Sequence, residues 1–207
     1  MSLREVYRDR WVVVVDKPSG VPSQGTRGGE PGVFELLAPR FDYLALHHRL
    51  DRPASGLLLL AVHRKANRGL AEAFRTHAAR RTYLAVVDGE AHDGLWERPL
   101  DGRPALTEVR VLGRGAGATA VELGLHTGRT HQIRRHAALE GSPVLGDRRY
   151  GGEAGRRWPR LALHATALQL AHPVTGRELA LHAALPADLL LMWEQAGGRP
   201  GPDRREG

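Results

Sequence analysis

Between Ser55-Gly56 and His63-Arg64-Lys65 the chain is apolar at every position: Leu57-Leu58-Leu59-Leu60-Ala61-Val62. A surface strand would alternate apolar with polar residues and a surface helix would repeat its apolar face every three or four. This run does neither, so it reads as a buried strand. Trp11–Val15 has the same character and stops at Asp16-Lys17-Pro18-Ser19-Gly20, a tight turn. Both runs fall well short of the roughly 18 apolar residues of a membrane span, and the polar start MSLREVYRDR is not a signal peptide. A cytoplasmic protein with no membrane partner is therefore expected. With no cysteine among its 207 residues, the chain has no disulfides, thiolate metal sites or cysteine nucleophile.

The remaining segments add helices and hairpins around these two strands. Residues 23–32 read as loop, and Val33–Leu37 opens a short helix. Ala66, Leu70 and Phe74 recur every four residues on a further helix. Thr82–Val87 is a strand, and Val121, Leu123 and Leu125 alternate with Glu122, Gly124 and His126 as in a half-buried strand. Thr130 is placed to cap a helix running to about Glu140, with Ile133 and Ala137 on one face. Leu161–Leu170 and Glu178–Leu181 flank His-Pro-Val-Thr-Gly as a hairpin, and a last helix covers Ala187–Gln195. No repeat or linker divides residues 1–196, so one domain is expected, with a disordered tail over 197–207 (GGRPGPDRREG). The fold class predicted is α+β, with a mixed, largely antiparallel sheet flanked by helices.

The formal net charge is +7, and of the 30 basic residues only Lys17 and Lys65 are lysine. Arginine forks onto phosphate and stacks on bases, which suits a nucleic-acid partner; an Arg-, Ala-, Gly- and Pro-rich composition is equally what a GC-rich genome produces.

Three clusters can carry chemistry. In His48-Arg49-Leu50-Asp51-Arg52-Pro53-Ala54-Ser55-Gly56, a charged turn precedes the buried strand and sets Asp51 in a loop at the mouth of the sheet. Flanking arginines favour its anion, either for catalysis or simply in a capped turn. In Gly128-Arg129-Thr130-His131-Gln132-Ile133-Arg134-Arg135-His136, a glycine turn opens a helix. Arg129 and Arg134 there could clamp a phosphate, pair with a carboxylate, or be solvated. In Arg80-Arg81-Thr82-Tyr83, a lone tyrosine on a strand is either a core residue or a site residue. His47, His126, His164, His172 and His182 default to structural roles. His131 and His136 have the wrong spacing for zinc, so no metal is expected. Phosphate-loop, dinucleotide and nucleophile-elbow motifs are missing from the sequence.

Taken in order, these segments resemble the RluA-type family of RNA pseudouridine synthases over about residues 5–190. Lys17–Pro22 is similar to its opening turn, and His48–Asp51 with Ser55–Ala61 to the segment around its catalytic aspartate. Arg81–Ala85 is similar to its K/R-x-Y-x-A strand. Gly128–Arg134, Leu145-Gly146-Asp147 and Tyr150-Gly151-Gly152 resemble the stretch that closes its site. Leu163-His164-Ala165, His172–Gly176 and Leu185-Pro186 resemble its C-terminal hairpin. Ala54 stands where the family usually has threonine, which removes a loop hydroxyl worth on the order of 1 kcal/mol.

The resemblance implies the pseudouridine synthase fold and isomerisation of uridine in tRNA or rRNA, by base flipping and an aspartate nucleophile or base. It implies catalytic roles for Asp51, Tyr83 and Arg134, the last as the cation paired with Asp51. Arg49, Arg52, Arg129, Gln132 and Ile133 are implied to bind substrate. Arg52-Pro53 and residues 134–136 look somewhat like the tRNA-modifying branch. Arginines beside the motifs, such as Arg80, Arg81, Arg135, Arg148 and Arg149, are candidates to grip phosphates or are plain surface charge. The implied reaction needs no cofactor or metal. The match starts close to Met1, so no S4-like module is expected ahead of it, and the enzyme is expected to be a monomer. A non-catalytic RNA-binding or ribosome-assembly protein on the same scaffold is the alternative.

Overall fold

A computed structural model describes residues 3–25 and 28–199. In chain order its strands are β1 (Arg4–Arg8), β2 (Val12–Lys17), β3 (Ala45–Leu46), β4 (Ser55–Ala61), β5 (Arg80–Asp88), β6 (Gly94–Trp96), β7 (Thr107–Gly115), β8 (Ala118–Leu125), β9 (Leu163–Ala171) and β10 (Glu178–His182). The helices are α1 (Val33–Leu37), α2 (Ala66–Arg75), α3 (Gln132–Leu139) and α4 (Ala187–Gln195). The fold class is α+β with mostly antiparallel strands, as the sequence predicts. Where one domain is expected over 1–196, the chain gathers into two compact units. One is drawn from Met1–Arg81 and Ala165–Ala183, the other from Thr82–His164 and Ala184–Gly207.

In the first unit the strand order is β1-β2-β4-β9, with β10 on β9 and β3 on β4. β2 pairs antiparallel with β4 from Val12↔Ala61 to Lys17↔Gly56. Val12–Val15 and Leu58–Ala61 are wholly buried, which is why neither run alternates. One face packs Val12, Val14, Leu57 and Leu59 with Ala66 and Leu70 of α2 and with Leu168 and Leu170 of β9. Each such side chain contributes about 1.5–3 kcal/mol on burial. Gly56, at the start of β4, has φ +112, and a Cβ there would run into the carbonyl of Ala165. Only glycine lets β4 begin at this point. β1 eluded the sequence pattern because it is an edge strand with both ends exposed and a bulge between Glu5 and Tyr7.

The second unit orders its strands β5-β8-β7-β6. β7, also unpredicted, pairs antiparallel with β8; Thr107 and Val109 face inward while Glu108 and Arg110 are exposed. Helix α3 differs from expectation at its start. Thr130 does not cap it; His131 occupies the N-cap position with a left-handed backbone, φ 53. The expected tail includes residues 197–199. A Cβ on Gly198 would meet the Trp193 ring, and the Trp193 indole donates to the Arg199 carbonyl at 3.0 Å, so residues 197–199 are packed. Residues 200–207 of that expected tail lie outside the described ones. Among the described residues no helix is long and apolar enough to cross a membrane.

Candidate active site

The first unit supplies the acidic loop. Asp51 is half-buried in the turn that leads into β4, and its carbonyl accepts the Ala54 N–H at 3.1 Å. What holds this turn is Lys17, the last residue of β2, whose side chain is wholly buried. Its ammonium donates to the carbonyls of Pro18 (3.0 Å), Val21 (2.7 Å), Arg52 (3.2 Å) and Ala54 (2.5 Å). A buried ammonium needs such a cage, and a cage of carbonyls from both flanks of Asp51 fixes the backbone that carries it. Ser19 adds a bond to the Pro53 carbonyl at 2.7 Å. The Ser23 hydroxyl donates to Leu50 O and accepts from Leu50 N, both at 2.9 Å. The sequence marks Lys17 only as part of a turn; its proximity to residues 52–54 is set by the β2–β4 register and is not visible in the local pattern.

His48 braces the other side of the loop. Its ring stacks on Phe74 of α2 at 4.4 Å between centroids, and its Nε2 accepts the Leu59 N–H at 2.9 Å. Burial, with the Arg81 charge and then His47 adding to it, pushes its pKa down to about 3, so it stays a neutral acceptor. Of the two arginines beside Asp51, Arg52 is tied down: its Nε donates to Gly20 O and its Nη2 pairs with Glu30, both at 2.9 Å. This gives Arg52, expected to bind substrate, a loop-bracing role. Arg49 is exposed and, among the described residues, has no carboxylate partner.

The second unit supplies the remaining predicted residues. Arg134 is 5% exposed, and its Nε and Nη2 donate to Asp147 Oδ2 and Oδ1, each at 2.8 Å. Asp147, itself 1% exposed, also accepts the N–H groups of Arg149 (3.0 Å) and Tyr150 (3.1 Å). Burial pushes the Asp147 carboxyl up, but the Arg134 bonds and charge and the two backbone N–H groups outweigh it, and its pKa is lowered. Tyr150 completes the arrangement: the Arg134 guanidinium lies 5.1 Å from its ring centroid, and its hydroxyl is 3.0 Å from His131 Nδ1. The left-handed turn at His131 is thus fastened to the segment that fixes Arg134. Asp147 as a partner of Arg134 is absent from the sequence reading, since a pair thirteen residues apart leaves no helical or strand period.

Gln132, expected to bind substrate, is occupied within the fold. Its Oε1 accepts from Thr127 Oγ1 (2.7 Å) and Arg129 N (3.0 Å), and its Nε2 donates to Leu106 O and Thr107 Oγ1, both at 3.0 Å. With both ends of its amide satisfied it ties the turn before α3 to β7. Arg129 is half-buried, with Nε on the Pro104 carbonyl at 3.0 Å. Ile133 is 4% and Tyr83, on β5, 7% exposed. Among the described residues no group of three or more His, Asp or Glu side chains is placed to hold a metal ion.

The α+β fold is also seen in solved structures. Human RNA Pseudouridylate Synthase Domain Containing 4 aligns with a TM-score of 0.78 and 24% identity over 94% of this chain and 93% of that one. Human RNA Pseudouridylate Synthase Domain Containing 1 aligns at 0.70 and 27%, over 98% and 97%. The family pattern described as RNA pseudouridylate synthase matches residues 11–139, and the chain belongs to that family of uridine-isomerising enzymes. Ribosomal large subunit pseudouridine synthase C of Salmonella typhi is 38% identical over 89% of this chain, which spans about two thirds (67%) of that relative.

Proposed function

We propose that this protein converts uridine to pseudouridine in large-subunit ribosomal RNA, with Asp51 as the nucleophile or base at the sugar. The observation that carries the reading is the family match over residues 11–139, which contains Asp51, Tyr83 and Arg134. The ribosomal substrate follows the name of the similar synthase.

In the proposed course the target uridine leaves its stack, at a cost of a few kcal/mol, and Arg49 donates hydrogen bonds in the space it vacates. The Asp51 carboxylate acts at the ribose while the C1′–N1 bond breaks. The uracil turns and a C1′–C5 bond forms; C5 loses its proton and N1 gains one, so atoms and charge balance. Arg134, held by Asp147, is the cation that partners the Asp51 carboxylate once RNA has excluded water. Tyr83 packs on the base and helps move the C5 proton, and Ile133 packs beneath the ring. The isomerisation is redox-neutral and transfers no phosphate, so this course asks for no cofactor. The test is to incubate the protein with unmodified large-subunit rRNA transcript and, separately, with unmodified tRNA, then map pseudouridine in each. Pseudouridine in the rRNA alone supports the reading. Pseudouridine in tRNA alone refutes the ribosomal assignment, and none in either refutes the activity.

A further inference from the structure

Some arginines of this basic chain are neutralised within the fold. Arg8, Arg40, Arg75, Arg98, Arg110 and Arg157 each face a carboxylate. Arg148, Arg149 and Arg156 are all exposed, and among the described residues no carboxylate pairs with any of them. Together with Gly152 and Gly155 they line one open groove of about 460 Å³. Glu153 lies within the same stretch and pairs with none of the three, so the groove wall keeps a positive balance.

The groove is a built feature. The Gly151 N–H donates to the Asp147 carbonyl at 2.7 Å, the Gly155 N–H to the Gly151 carbonyl, and the Gly146 N–H to the Ala154 carbonyl, the last two at 3.2 Å. A Cβ on Gly151 or Gly155 would collide with the Asp147 carbonyl, so the floor is bare backbone pressed against Asp147. That same residue clamps Arg134 and accepts the Arg149 N–H. The Tyr150 ring has Arg149 at 5.3 Å and Arg134 at 5.1 Å from its centroid. The groove and the candidate catalytic arginine are therefore fastened to one carboxylate and one ring.

We propose that this groove holds the phosphodiester backbone of the substrate RNA beside the target nucleotide, with Arg148, Arg149 and Arg156 as its phosphate ligands. This rests on the RNA reading above and adds where the backbone is gripped. Unpaired guanidiniums fork onto phosphate oxygens and release condensed counterions, whereas an arginine already paired with a carboxylate releases far fewer.

The test uses the full chain and in-vitro transcribed, unmodified large-subunit rRNA, with affinity measured by filter binding from about 50 to 300 mM KCl, a range where counterion release is readily resolved. Arg148→Ala/Arg149→Ala/Arg156→Ala should lower the magnitude of the slope of log K against log salt by about 2–3, and weaken binding on the order of tenfold or more. Its KM should rise by a similar factor. The control Arg75→Ala/Arg110→Ala/Arg157→Ala removes the same formal charge from paired positions and should change the slope by less than about 1. The single reversal Arg148→Glu, compared by melting temperature with the wild type, serves if the triple variant is unstable, and should weaken binding in a salt-dependent way. The proposal is overturned if the groove variants match the control while the wild type binds and modifies RNA. If the wild type neither binds nor modifies RNA, the functional reading fails and the groove assignment with it.

Discussion

Replacing Lys17 by methionine keeps most of the side-chain volume and removes only the ammonium, so it tests whether the carbonyl cage holds the Asp51 turn. Four carbonyls lose a donor. That of Arg52 keeps a second one, the Gly20 N–H at 2.9 Å, and that of half-buried Pro18 can be reached by water. The carbonyl of half-buried Val21 can likewise be reached by water, so that of buried Ala54 bears the loss, about 1–3 kcal/mol for a stranded acceptor. For a chain of this size about 1 kcal/mol moves the melting temperature by roughly 2–4 °C, so the variant should melt about 2–12 °C lower. The control Lys65→Met, at an exposed position, should cost less than about 0.5 kcal/mol. Where both proteins remain folded, kcat on RNA should fall by about tenfold or more, because a carboxylate displaced by ~1 Å can lose on the order of a hundredfold. A melting shift under about 2 °C with kcat within twofold of wild type would refute the positioning role, since both figures fall below what one stranded carbonyl predicts.

Asp147→Asn should reduce turnover strongly and RNA affinity much less, because it removes the charge that clamps Arg134 while the Asn Oδ1 can still accept the Arg149 N–H; separate kcat and Kd measurements check this. The folded pKa of Asp147 is lowered, so its contribution to stability is present above the unfolded value of about 3.9 and is lost as pH falls through the folded one. His48 also favours alkaline conditions, over a different window. Its folded pKa of about 3 lies below the unfolded value of about 6.5, so stability is full above about 6.5 and falls by up to about 1.4 kcal/mol per pH unit toward 3. Urea unfolding from pH 7 to 4 should show this slope, and His48→Gln should flatten it. Gly56→Ala should abolish soluble folded protein, because the methyl group meets the Ala165 carbonyl at a left-handed φ; circular dichroism of the purified variant is the check.

The elements visible in the sequence are those whose burial is one-sided or complete. β2, β4, α1, α2, the β9–β10 hairpin and α4 all fall within a few residues of their predicted places. The pattern fails where it is interrupted: β1 is an edge strand with exposed ends, and in β7 the burial alternation fades after Arg110, at the bulge between Val111 and Gly113. At the candidate site, Asp51 and Arg134 stand out because charged residues flank apolar runs. Lys17, His48 and Asp147 do not, because each acts through a long-range contact: Lys17 reaches residues 52–54, and Asp147 reaches back to Arg134. Conversely, Gln132 and Arg52 look like substrate ligands in sequence because polar residues beside a glycine turn invite that reading. Only the hydrogen bonds show that both also brace the fold.

The most direct trial of Asp51 is tritium release from rRNA transcribed with C5-tritiated uridine, since C5 must shed its hydrogen for the new glycosidic bond to form. The wild type should release tritium in step with pseudouridine, while Asp51→Asn, of nearly the same size and hydrogen-bonding reach, should bind the RNA and release none above background. Release by Asp51→Asn at a rate near that of the wild type would contradict the assignment of the chemistry to this carboxylate.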